Sequence, residues 1–379
     1  MRVAALLLAS SAAWAAPRAL PTFVRLDLDR FPRPAAQACA RHREVAVRTA
    51  AGLEAALAAL KPGTTLRVAA GTYRLHAGES EALPIAASGV CLRGDGVIIE
   101  AAPAQGYGLL IRGDRVAVEG FTFRGFQTSV SIGADRPLAA VTLERLRVEG
   151  PAGDWRDGIV VQGALDGWLL RDVHVEGSDL GISCNQGPCR HVWVERATVA
   201  GRRTGSGNSG GDAFAIEEGA QIAVIDSTFR GAEADGIDTK ADDVVVSGCK
   251  VLGVGRNALK LWRGGDVINT VLDGSGADAS LIGDRAGRYR YRSLTVRNHA
   301  PDGTGYVGTW GYDHPKDPGM SIEILDSLFE RNSAGGLFFP AGARVSIRKT
   351  VYRADAEAKL AELSDGRIFA LRELAAFDR

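Results

Sequence analysis

Short apolar-alternating phrases that end near glycine return along this 379-residue chain at a nearly constant interval. They read VEGFTFRG, LERLRVEG, LRDVHVEG, VERATVAG, VIDSTFRG and VSGCKVLG, and their last apolar residues are Phe123, Val148, Val175, Val199, Phe229 and Val251. The spacings are 25, 27, 24, 30 and 22 residues, with weaker copies at Leu272, Val296, Phe329 and Tyr352. A second phrase falls between them: RDGIVVQG, DLGISCNQG, GDAFAIEEG, ADGIDTKA, RNALKLWRG and, after a gap, AGGLFFPAG. Period-2 alternation and β-branched residues mark both phrases as strands. The interval leaves no room for a helix, and 47 glycines suit many tight turns. One unit cannot bury its own apolar face, whereas stacked units share a continuous core. A sandwich or up-and-down barrel would instead show hairpin signals between sequence neighbours. The expectation is an all-β chain: a right-handed parallel β-helix, or solenoid, of about ten coils over residues 64–353, its hand set by the general preference of parallel crossovers.

The flanking segments read as caps. GLEAALAALKPG, from Gly52 to Gly63, is a short amphipathic helix closing an N-terminal extension of residues 17–63, and TTLRVAAGTYRL is a first strand pair. Residues 354–379 mix helical periodicity with a short strand and would protect the open edge of the last coil. Residues 275–292 and 300–319 are too long for turns and are expected to be loops walling a cleft. Residues 1–16, with Arg2 before an apolar run and small residues at Ala13, Ala15 and Ala16, have the layout of a signal peptide cut after Ala15 or Ala16. The mature protein is therefore expected to be secreted or periplasmic, monomeric and without a membrane anchor. Lys+Arg and Asp+Glu balance at 45 each, which argues against nucleic acid as a partner. Of five cysteines, Cys184 and Cys189 bracket a small loop, and the odd count leaves at least one free thiol.

Alternate strand residues face opposite sides. Aligning the second phrase puts Ile159, Ile182, Phe214, Ile237 and Leu259 inward, and Val160, Ser183, Ala215, Asp238 and Lys260 outward. The next outward column is Gln162, Asn185, Glu217, Lys240 and Trp262, and the preceding turn column is Asp157, Leu180, Asp212, Asp235 and Asn257. With neighbouring strands about 4.8 Å apart, Asp212, Glu217, Asp235, Asp238, Lys240 and Lys260 gather on one face over three coils. Asp before Gly is an ordinary turn residue, and an exposed Asp–Lys contact contributes little. Six charged groups where other coils carry Val, Ser and Ala are harder to assign to turns alone. Oxygen-rich ligation by Asp212, Asp235 and Asp238 suits Ca²⁺, with Lys260 beside it.

These phrases resemble the pectate-lyase-like β-helix superfamily and, in motif, the family 9 polysaccharide lyases. In that family an acidic DDGFD-type phrase binds Ca²⁺, and the lysine of an NGFKLGG-type phrase is the base. Here ADGID (Ala234–Asp238) matches the first and NALKLWRGG (Asn257–Gly265) the second. The resemblance implies Ca²⁺ ligands at Asp235 and Asp238, a further ligand at Asp212 and a base at Lys260. Ala234 stands where the family has its first aspartate, which makes Glu217 or Asp242 a compensating ligand, and Trp262 and Arg263 interrupt the lysine phrase.

The expected activity is Ca²⁺-assisted β-elimination of a pectate-like acidic polysaccharide. Removing the C5 proton needs a cation to neutralise the adjacent carboxylate and a base that is neutral at working pH. A metal and partial desolvation lower a lysine pKa, while an acidic cluster without metal raises it. Lys240 is the alternative base. Arg263 and Arg256 could grip substrate carboxylates, and Trp262, Tyr306, Trp310 or Tyr312 could stack a sugar ring. The alternatives are a β-helix glycoside hydrolase using the three aspartates without a lysine base, an epimerase, and a non-catalytic carbohydrate-binding or surface β-helix. The NTD, DD and RIK phrases of hydrolases do not occur as a set, and the DPHD phrase of alginate epimerases is not present.

Overall fold

The computed structural model describes residues 28–36, 39–75, 81–101, 106–150, 157–202, 211–276, 279–300, 306–311, 313–314, 319–333, 335–354, 361–363 and 368–369. The expected signal peptide and Tyr312 lie outside them. The chain winds into a right-handed parallel β-helix of about 11 turns. All strand pairs are parallel except the last, Ala361–Leu363 with Ile368–Phe369. One sheet of 13 strands stacks successive coils and ends in that antiparallel pair, and the other 23 strands join into a second sheet around the rest of the circumference. The repeat phrases fall in strict register: Phe123, Val148, Val175, Val199, Phe229, Val251, Leu272, Val296, Phe329 and Tyr352 are successive partners. All but Tyr352 are fully enclosed in one core that runs the length of the solenoid.

The corner between the two ladders of the larger sheet repeats a conformation that its residue types do not announce. Arg145, Asp172, Arg196, Asp226, Asn269, Ser293, Asp326 and Lys349 all have φ between 47° and 55°, in the left-handed region. A non-glycine residue there costs about 1–2 kcal/mol. The stack recovers part of that cost, because each of these N–H groups that is bonded in series, such as Asp226 to Ser247 O at 2.8 Å and Asn269 to Arg292 O at 3.0 Å, donates to the following coil. The residue after the corner is buried in most coils, as at Leu146, Val173 and Leu294, and Cys249 holds this place after Gly248, whose φ is 67°.

Helix Ala50–Ala58 starts where Thr49 Oγ1 accepts the Gly52 N–H at 3.1 Å, and Leu53 and Leu57 close the top of the core. The sheet begins earlier than the sequence boundary, since Arg43–Val47 already pairs with Thr64–Val68. Ahead of it, residues 28–36 lie across the outside of the larger sheet. Phe31 packs with Leu169, Trp193, Ala223 and Val245. Arg33 pairs with Glu195 at 2.6 Å, and Arg30 reaches Asp266.

The expected loops at 275–292 and 300–319 are corrected. They contain the strands Ala279–Gly283, Gly287–Arg292 and Tyr306–Trp310, each in register with its neighbours. The run RYRYR alternates like any strand, but its inward face is Tyr289 and Tyr291, whose hydroxyls are bonded inside: that of Tyr289 donates to Arg285 O at 2.7 Å, and that of Tyr291 accepts the Trp310 indole N–H at 3.3 Å. Trp310 is itself core, stacked on Phe339 at 4.9 Å, and is not available to a sugar. Tyr306 lies against Phe338 at 5.3 Å.

Cys184 and Cys189 are joined, as their spacing suggested, and Cys39 and Cys91 form a second disulfide. Cys249 is the free thiol, and burial pushes it up to about 12. The native protein should therefore be inert to thiol reagents at pH 8, and one thiol per chain should react once it is denatured without reductant. More than one reactive thiol under those conditions would contradict the pairing.

Candidate functional site

The acidic phrase and the lysine phrase form adjacent strands of the 13-stranded sheet. Ile237–Thr239 pairs with Leu259–Leu261, so Asp238 stands beside Lys260. Phe214 pairs with Ile237, which places Asp212 one coil before Asp235 in the turn column. Gly236 makes this approach possible. A Cβ there would lie 2.2 Å from Val251 Cγ1 and 2.6 Å from Ala258 O.

Each aspartate is held by one oxygen and aimed with the other. Asp212 Oδ1 accepts the Asp235 N–H at 2.9 Å, and Asp235 Oδ1 accepts the Asn257 N–H at 3.0 Å. Asp238 Oδ1 accepts the Trp262 indole N–H at 2.7 Å. Lys260 Nζ lies 3.2 Å from Asp235 Oδ2 and 3.4 Å from Asp238 Oδ2. The Asp235 and Asp238 side chains are only 3% and 9% exposed and that of Lys260 12%, so water does little to screen them.

Three carboxylates against one ammonium leave the cluster short of positive charge. Burial, then the charges of Asp235 and Asp238, push the Asp212 carboxyl up to about 8. Burial also raises Asp238, and Lys260 and the Trp262 indole pull it back only in part. At Lys260 burial opposes the charged form, but Asp235 and Asp238 together outweigh it and hold the ammonium above its ordinary value. A cation fits this donor set. One carboxylate oxygen from each aspartate lies within 4.8 Å of the others, and Ca²⁺–oxygen distances of about 2.3–2.6 Å let oxygens that far apart share one ion.

The other expected residues lie around the cluster rather than in it. Lys240 is paired with Glu217, and Arg263 with the exposed Asp242 at 3.4 Å. Neither Glu217 nor Asp242 joins the three aspartates. Ala234 is fully enclosed, with its carbonyl accepting the Arg256 N–H at 3.0 Å. Trp262 is not a bare stacking platform: the ammonium groups of Lys240 and Lys260 each sit 5.2 Å from its ring, a cation–π arrangement that makes it a wall of the cluster.

Sequence reasoning missed Asp284 and His314. Asp284 follows Gly283, the partner of Leu261, and so continues the column of Lys240 and Trp262 onto the next coil. Its buried carboxylate takes His314 Nδ1 at 2.7 Å. The aligned phrase ASLIGD was the available signal.

The raised Asp212 has a stability consequence. Between pH 4 and 8 the folded chain holds a proton that the unfolded chain has released, so this group's contribution falls as pH rises through that window. In chelator, the stability of Asp212→Asn relative to the wild type should rise between pH 5 and pH 8 by on the order of a few kcal/mol. Equal melting of the two proteins at both pH values would remove the charge imbalance.

No protein-family model matches the chain, and no curated protein matches it. Among solved structures it is similar to the PL6 family alginate lyase AlyGC, at 13% identity and a TM-score of 0.51 over 88% of this chain. That alignment covers 56% of the AlyGC chain, so this protein spans little more than half its length. The pectate lyase Pel9A aligns at 11% identity and a TM-score of 0.41, over 85% of this chain and 82% of that one. The A-module of the Azotobacter vinelandii mannuronan C-5 epimerase AlgE6 aligns at 14% identity and a TM-score of 0.41, over 81% and 94%. At such identities the likeness speaks for the fold alone, and that fold is a right-handed parallel β-helix.

Proposed function

We propose that this protein is an exported polysaccharide lyase that cleaves a uronate polymer by β-elimination, with Ca²⁺ on Asp212, Asp235 and Asp238 and Lys260 as the base. The observation that carries the reading is the placement of the Lys260 ammonium against two of three converging, buried carboxylates on the outer face of one sheet. Two disulfides suit an oxidising compartment.

When bound, the calcium ion supplies the charge that neutralises a uronate carboxylate and stabilises the enediolate-like charge developing beside it. The chain's own groups do the rest. Once their charge is compensated, Asp235 and Asp238 no longer hold the ammonium, and burial then favours neutral Lys260. Lys260 Nζ takes the C5 proton, the pair of electrons left behind forms the C4=C5 double bond, and the C4–O4 bond breaks. Trp262 fixes Asp238 and backs Lys260. Lys240, committed to Glu217, is the weaker choice of base. A glycoside hydrolase is the second reading, because an Asp212 carboxyl raised to about 8 would be an available proton donor at neutral pH.

Incubation with a panel of uronate polymers, with Ca²⁺ or with chelator, should give the ultraviolet absorbance of an unsaturated product only with Ca²⁺. Lys260→Ala should lower that rate about 10²–10⁴-fold. New reducing ends without the absorbance would instead establish hydrolysis, and full activity in Lys260→Ala would move the base. Ca²⁺ at a hundredfold excess over its Kd should stabilise the fold by about 2.7 kcal/mol, an effect that Asp212→Asn should lose. An unchanged melting temperature with Ca²⁺ would rule out metal on this cluster.

A further inference from the structure

Next to Lys260 and Trp262, on the following coil, the fold spends a buried carboxylate on one histidine. Asp284 is in register with Trp262, and the Arg285 N–H that follows it donates to Trp262 O at 2.7 Å. The Asp284 side chain is 1% exposed. Its Oδ1 accepts the Asp313 N–H at 2.6 Å and its Oδ2 accepts His314 Nδ1–H at 2.7 Å, with Arg285 Nε 3.5 Å away on the surface side. His314 itself is 36% exposed. Burying a carboxylate is costly unless its hydrogen bonds are satisfied, and these bonds fix the imidazole in orientation and tautomer. Among the described residues nothing bonds Nε2, the nitrogen opposite the carboxylate. Strand spacing and rise put the Asp284 backbone about 8 Å from that of Lys260, one coil along and in register with Trp262.

We infer that His314, oriented by Asp284, is the acid that delivers a proton to the oxygen leaving C4, an assignment that rests on the lyase reading above. Lys260 removes the C5 proton and the C5–H electrons become the C4=C5 bond. The C4–O4 electrons depart on oxygen, which takes the Nε2 proton of the His314 imidazolium. The imidazole then remains neutral, with Nδ1–H still on Asp284. A carboxylate that fixes the second nitrogen of a histidine is the arrangement proton transfer requires. His314 is the catalytic residue here and Asp284 a positioning residue.

The test uses the full chain, the uronate polymer that the wild type degrades fastest, and a uronoside carrying fluoride at C4, which leaves without needing a proton. His314→Gln should lower kcat on the polymer about 10²-fold with KM unchanged, and should cleave the fluoride substrate at the wild-type rate. Asp284→Asn should show the same split, and imidazole in the buffer should restore His314→Ala on the polymer. Lys260→Ala should lose both substrates. His314→Gln with wild-type kcat on the polymer, or with equal losses on both substrates, overturns the assignment while leaving the lyase intact. A wild type that makes no unsaturated product from any polymer overturns the lyase reading and, with it, this one.

Discussion

The structure depends on parallel register held without slippage through consecutive coils. Side chains alternate across a strand, so a shift of one residue would send Asp238 inward and a core leucine out. Register is enforced twice, by the ladder of backbone hydrogen bonds and by the inward column of Ile182, Phe214, Ile237, Leu259 and Leu281. The left-handed corner residues add a further constraint, since in eight coils a non-glycine residue takes the same strained conformation at the same point. Uniform corners keep coil lengths commensurate, and only then do residues from three coils meet at one point.

That meeting is electrostatically uncomfortable. Asp212, Asp235 and Asp238 repel one another in a poorly hydrated place, Lys260 compensates only in part, and Asp212 responds by rising to about 8. Backbone and indole N–H groups fix one oxygen of each carboxylate, so the aspartates cannot turn away from one another to relieve the repulsion. A site built this way has a standing affinity for positive charge. The same field holds Lys260 as an ammonium.

Much of this was legible in the residues. The two-phrase interval led to the solenoid, and aligning the phrases put Asp238 beside Lys260 and Asp212 beside Asp235 before any coordinates. What stayed hidden has physical causes. The run RYRYR hid a strand because its core face is tyrosine, whose hydroxyls need partners that only the fold reveals. Corner residues such as Arg145 and Arg196 carry no mark of a positive φ, because the hydrogen bond that supports them is made to another coil. Glu217 and Asp242 looked like spare ligands in sequence, but nearby Lys240 and Arg263 engage them. The Asp284–His314 bond spans 30 residues with no repeat to announce it.

The segment at 28–36 sets an order of events. Its Arg30 meets Asp266, which is made 236 residues later, and its Phe31 seats on four strands belonging to four different coils. A chain emerging from its N-terminus cannot dock this segment as it appears. The segment must wait until the coils from Leu169 to Asp266 have stacked, and its docking then registers that the stack is complete. Early synthesis ends up latched by late synthesis, with the Cys39–Cys91 bond anchoring the near end of the latch to the first coils. Pulling on the N-terminus would peel this segment off several coils before it loaded any strand of the helix.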